Sequence, residues 1–82
     1  MNPINEDFYI NHPNQDYIAL CDLLKATAVC LSGGEAKQKI AAGDVWVDGV
    51  QEFRKTNKIR HGMVVTGVGF EIRVFKVWVI PS

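Results

Sequence analysis

Ser32-Gly33-Gly34-Glu35-Ala36-Lys37 is the stretch of this chain whose residue types and spacing could do chemistry. Ser32 with Glu35 three positions later makes a capping box, the signature of a helix start. Glycine in a first turn costs up to ~1 kcal/mol relative to alanine. Two in succession suggest that something approaches the backbone closely. The unpaired N–H groups of a helix start, at its positive dipole end, suit a phosphate. The alternative is a plain tight turn between two helices. A second set of groups is basic. Lys37 and Lys39 fall on the helix that Ser32 opens, and Arg54, Lys55, Lys58, Arg60 and His61 follow within a few tens of residues. Such a cluster is what phosphate contacts need, because ion release on charge neutralisation drives most nucleic-acid affinity. For any single lysine a solvated surface remains the simpler explanation.

Catalytic readings lack their parts. Ser32 as a nucleophile would need a histidine held by an acid. His12 and His61 stand in no such setting. Asp44 and Asp48 are explained by turns, and no Gly-Lys-Ser/Thr run follows the glycines to make a P-loop. The chain is therefore expected not to be an enzyme and to need no metal and no cofactor. Cys21 and Cys30 form no CxxC pair and no zinc spacing. Both read as reduced thiols filling a core.

The elements that must position these groups follow from periodicity. Ile18, Leu20, Cys21, Leu24 and Ala28 recur at spacings of three and four, which predicts a helix of about three turns with Asp16 as its N-cap. Lys25 lies off that stripe near the helix end. In the second helix Ala36 and Ile40 form the buried edge, Lys37, Gln38 and Lys39 face outward, and Gly43 supplies a left-handed C-terminal cap. Asp48-Gly49, flanked by Val45-Trp46-Val47 and Val50-Gln51, predicts a two-residue type I′ hairpin. Trp46 alternates with Val45 and Val47, so it faces away from them, either packing on a neighbouring strand or stacking on a base. Met63 to Thr66 reads as a strand, Gly67 and Gly69 bracket a turn, and Phe70 to Ile80 reads as a final strand. Its apolar phase shifts near Val74-Phe75, which predicts a bulge or bend there. Phe8-Tyr9-Ile10 is the one apolar patch before residue 15, a candidate short edge strand. The expected fold class is α+β: two helices, a β-hairpin and further strands forming a small sheet.

The 82 residues bound the chain to one domain, with a core motif over about 17–66, an N-terminal strand or tail over 1–14 and a C-terminal strand over 67–82. The formal net charge is zero. It is unevenly spread: residues 1–24 hold four acids and no Lys or Arg, whereas residues 25–82 hold nine Lys and Arg against five Asp and Glu. An acidic front and a basic body leave room for a basic face. No signal peptide or membrane span is recognisable, so the expected location is cytoplasmic.

The run Leu23-Leu24-Lys25, Ser32-Gly33-Gly34-Glu35-Ala36-Lys37-Gln38, Ile40, Gly43, Val45, Val47-Asp48-Gly49, Arg54 and Lys58-Ile59 resembles the S-four RNA-binding domain, named for small-subunit ribosomal protein four, and its small stand-alone bacterial members in particular. The likeness covers about residues 17–66. It implies an alpha-L-type α-α-β-hairpin module that grips structured RNA, such as ribosomal or transfer RNA, through its two helices and the following loop. Carried over to the matching positions, the RNA-binding residues are Lys25, Ser32, Gly33, Gly34, Lys37, Gln38, Arg54, Lys55 and Lys58. The chain departs from the family pattern at Gly33, where many members have a basic residue, at Asp48, where Asn is common, and at Met63, where an acid is usual. The resulting expectation is a monomeric RNA binder. The alternative is a protein-interaction module that docks on a ribosome-associated factor through an exposed apolar strand, Phe70–Ile80.

Overall fold

In the computed structural model, which describes residues 3–77, the chain forms β1 (Ile4–Ile10), β2 (Tyr17–Ala19), α1 (Leu20–Ala26), α2 (Gly33–Ala41), β3 (Trp46–Val47), β4 (Val50–Gln51), β5 (Lys58–Arg60), β6 (Val64–Gly67) and β7 (Phe70–Lys76). This is the expected α+β order. Five strands make one sheet in the order β1-β7-β6-β3-β4, and β2 pairs with β5 in a separate antiparallel ribbon. Trp78 and the rest of the expected final strand lie outside the described residues.

Leu20, Leu23 and Leu24 put one apolar edge on α1, Ala36 and Ile40 one on α2, and all five are fully buried. They close a single core with Val45, Val47, Val65, Ile72, Val74 and Ile10 from the inner face of the sheet and Ile59 from the ribbon. Cys30 is buried within it and Cys21 packs at its edge, both as free thiols.

The first helix departs from expectation at both ends. Residues 17–19 are extended, because Ile18 lies opposite Ile59 across the β2–β5 ribbon. Asp16 is not a cap; its carboxylate pairs with Arg60 Nη1 at 2.9 Å. The start of α1 is satisfied by backbone instead: Leu20 N–H donates to the Asn57 carbonyl (2.9 Å) and Cys21 N–H to the Lys55 carbonyl (3.0 Å). At the other end Ala28 turns left-handed, φ 62°, and is exposed rather than part of the buried stripe.

The second helix starts and stops as its sequence predicts. Ser32 Oγ accepts from Glu35 N–H at 3.1 Å, while the Glu35 carboxylate accepts from Leu31 N–H, one residue before the cap. At its end Asp44 N–H reaches the Lys39 carbonyl and Gly43 N–H the Ile40 carbonyl, a Schellman motif with Gly43 at φ 82°. Asp48 and Gly49 both have positive φ (51° and 83°), as a type I′ turn requires, and join β3 to β4.

β1 is longer than the patch at residues 8–10, and it pairs in parallel with β7 without interruption from Ile4↔Phe70 to Ile10↔Lys76. β7 itself carries no bulge; the irregularity near Val74 lies in the facing strand, where Val74 accepts from Gly62 N–H (2.9 Å) and donates to the Met63 carbonyl (3.0 Å), so two residues oppose one with Gly62 at φ 87°. The shift in apolar phase has another cause: Phe70, Ile72 and Val74 face the core, whereas Phe75 lies on the outer face, where its ring stacks on Tyr9 at 5.4 Å and meets His61 edge-on at 6.0 Å. The core takes Phe70, Ile72 and Val74, so these three are not an exposed apolar face; residues 78–80 of the Phe70–Ile80 docking strand lie outside the described residues.

Candidate nucleic-acid interface

Two connections build the candidate face. The turn from α1 into α2 carries Lys25 in the last turn of α1 and Ser32-Gly33-Gly34 at the start of α2. The loop from β4 to β5 carries Arg54 and Lys55, and its carbonyls at 55 and 57 cap α1. That backbone docking brings Lys55 to the first turn of α1, one turn before Lys25. Lys58 follows on β5, opposite Ala19. α2 packs directly on α1 and presents Lys37 and Gln38 to solvent. Lys25, Ser32, Gly34, Lys37, Gln38, Arg54, Lys55 and Lys58 are all exposed, and Gly33 is partly so.

The glycines are not demanded by the fold. A Cβ added at Gly33 would meet nothing within 4 Å, and one at Gly34 would meet only Ser32 Oγ at 3.9 Å. Neither takes a positive φ. The Gly33 and Gly34 N–H groups have no hydrogen-bond partner among the described residues, while Glu35 N–H is occupied by Ser32. Two adjacent donors at a helix N-terminus, with no side chain to block them, make a seat for an anionic oxygen.

The cations differ in how free they are. Arg54 Nε donates to Glu52 Oε1 at 2.7 Å and its backbone N–H donates to the same oxygen at 3.0 Å. This guanidinium hydrogen bond holds the Glu52 carboxyl below the usual carboxylate range. Arg60 is tied to Asp16, and Arg73 to Asp7 (2.6 Å) and Glu71 (2.7 Å). Lys25, Lys37, Lys55 and Lys58 have no carboxylate partner among the described residues. Lys39 is half-buried, its ammonium 5.8 Å from the Phe70 ring, and so stands apart from this set. Trp46 is half-buried on the outer face of the sheet, paired across strands with Thr66 and Gln51.

One residue escaped sequence reasoning. The Tyr17 ring lies under Lys58 Nζ (4.8 Å) and near the Arg60 guanidinium (5.6 Å). Tyr17 faces those cations only because β2 pairs with β5. No local pattern around residue 17 signals a partner more than forty residues away.

A family model for the S4 domain matches residues 11–75. A relative in Escherichia coli (strain K12), named "Putative RNA-binding protein YbcJ", is 44% identical over 63 residues, which cover 77% of this chain and 86% of that protein. The Shigella flexneri YbcJ, described as uncharacterized, matches to the same extent. The solution structure of E. coli YbcJ, described as revealing an alfaL motif involved in RNA-binding, is similar at a TM-score of 0.65 and 39% identity, over 84% of this chain and 85% of the other. The matched span takes in both helices, the hairpin and most of β7, and on that ground the chain belongs to the S4 domain family.

Proposed function

We propose that this protein binds structured RNA, ribosomal or transfer RNA being the natural candidates, and does so as a binding module rather than an enzyme. The observation that carries the reading is the pair of glycines at the start of α2. The fold does not need them, and their N–H groups are open to a phosphate. Lys25, Lys37, Lys55 and Lys58 supply further backbone contacts, with Arg54 joining once RNA competes with Glu52. Ser32 holds the helix start open, and Gln38 offers an amide to a ribose or base edge. Family membership and the described RNA-binding of YbcJ support the same reading. Recognition rests mainly on RNA shape, because side chains cannot enter the deep groove of A-form RNA.

Fluorescence anisotropy of a labelled ribosomal RNA fragment tests this. Binding that engages four or five phosphates should weaken with salt at a log–log slope of about −3 if they lie on single strands and about −4 if they lie on a duplex. The double variant Lys37→Glu/Arg54→Glu should lose binding while keeping its circular dichroism and melting curve. Unchanged affinity would place the interface elsewhere on the molecule.

A further inference from the structure

A cavity of about 200 Å³, open to solvent, lies between the end of β1 and the start of β2. Its walls are Phe8, Tyr9, Ile10, Tyr17 and Ile18, and its polar rim is Asn11, His12 and Gln15. It is smaller than the ~300–1,000 Å³ of drug-sized sites. The rim is held in place. Lys76 Nζ donates to the His12 carbonyl and to the Gln15 carbonyl (2.8 Å), and Gln15 Nε2 donates to the Tyr17 carbonyl at 3.1 Å. His12 Nδ1 accepts from Asn14 N–H at 3.2 Å, so in the neutral ring the proton sits on Nε2 as a donor. Asn11 adds a carboxamide that can both donate and accept.

Tyr17 belongs at once to this lining and to the cation cluster of Lys58 and Arg60. An aromatic wall, a rim that can read a base edge and a cation 4.8 Å from the Tyr17 ring are the three parts that recognition of an unpaired nucleotide requires. We infer that this cavity receives one unstacked nucleobase of the bound RNA, with a neighbouring phosphate on Lys58. The inference rests on the RNA-binding reading and adds a second contact point, remote in sequence from the α2 start. It gives the turn-rich segment 11–15 a role, and it makes the target an RNA with an unpaired base beside its helical part rather than an uninterrupted duplex.

Nuclear magnetic resonance with the ¹⁵N-labelled protein tests the cavity alone. Adenosine 5′-monophosphate should shift the amides of residues 8–18, while ribose 5-phosphate should shift only those around 58–60. Asn11→Ala, on an exposed turn, and Tyr17→Leu should each suppress the nucleotide-specific shifts. In anisotropy, Asn11→Ala, which touches no cation of the basic face, should weaken a stem-loop RNA by about three- to tenfold and leave a fully paired duplex of the same stem unaffected. Identical shifts from the two phosphates, or equal losses for stem-loop and duplex, would overturn the cavity assignment. Failure of the wild-type protein to bind either RNA at low salt would overturn the RNA-binding reading instead, and the nucleotide titration would still judge the cavity by itself.

Discussion

Gly33 and Gly43 are the same residue type used for opposite reasons. At Gly43 the backbone is left-handed, and an added Cβ would stand 2.6 Å from the Gln51 amide, whose Nε2 donates to the Gly43 carbonyl at 2.7 Å. Gly43→Ala should therefore cost about 1–2 kcal/mol of stability by chemical denaturation. Gly33→Ala meets no such barrier and should leave stability unchanged or raise it by up to ~1 kcal/mol, while RNA affinity falls by about tenfold as the methyl blocks a phosphate from the exposed N–H groups. A variant that gains stability and loses affinity would identify a position kept for binding. Glu52 gives a pH test. Its carboxyl is held low by the Arg54 hydrogen bond, so its stabilising contribution is complete above the ordinary carboxylate range and disappears as pH falls through the depressed folded value. Glu52→Gln should flatten that part of the acid-denaturation curve. Released from its partner, Arg54 should also tighten RNA binding about two- to fivefold at neutral pH.

At the level of elements, legibility followed locality. The Ser32–Glu35 start, the Gly43 stop and the Asp48-Gly49 turn were readable because each is settled by residues within a few positions of one another. Ile18 misled because its spacing to Cys21 fits a helix, yet its burial comes from Ile59 on another strand. Asp16 had the chemistry of a cap, but carbonyls 55 and 57 already occupy the first N–H groups of α1. The candidate RNA-binding positions were readable as a motif along α2 and the β4–β5 loop, whereas the setting of Tyr17 was not, because it depends on ribbon pairing. The loop that caps α1 also carries Arg54 and Lys55, so helix order and cation placement are coupled. Replacing Asn57 by Pro would leave its carbonyl but remove the N–H that donates to the Arg54 carbonyl at 3.2 Å. This change should lower RNA affinity more than it lowers the melting temperature, read by anisotropy and calorimetry on the same sample.

For the whole molecule, a net charge of zero conceals a division of labour. Every ion pair among the described residues uses an arginine: Arg73 holds Asp7 and Glu71, Arg60 holds Asp16, and Arg54 holds Glu52. Two of the four acids of the first segment, Asp7 and Asp16, are thus answered by arginines within the fold, while the lysines near α1 and α2 take part in none of these pairs and act outward. The parallel pairing of β1 with β7 has a further consequence, in time rather than in space. Its partners stand 66 positions apart, from Ile4↔Phe70 onward, so it closes the longest strand-pairing loop among the described residues, and such contacts form late. A chain emerging from the ribosome would have the residues of α1, α2 and the β4–β5 loop that caps α1 available before β7 exists. Until then β1 is an unpaired strand, and the wall of the cavity that it supplies together with residues 11–15 has nothing to lean on. The basic face would be assembled first and the pocket beside it last.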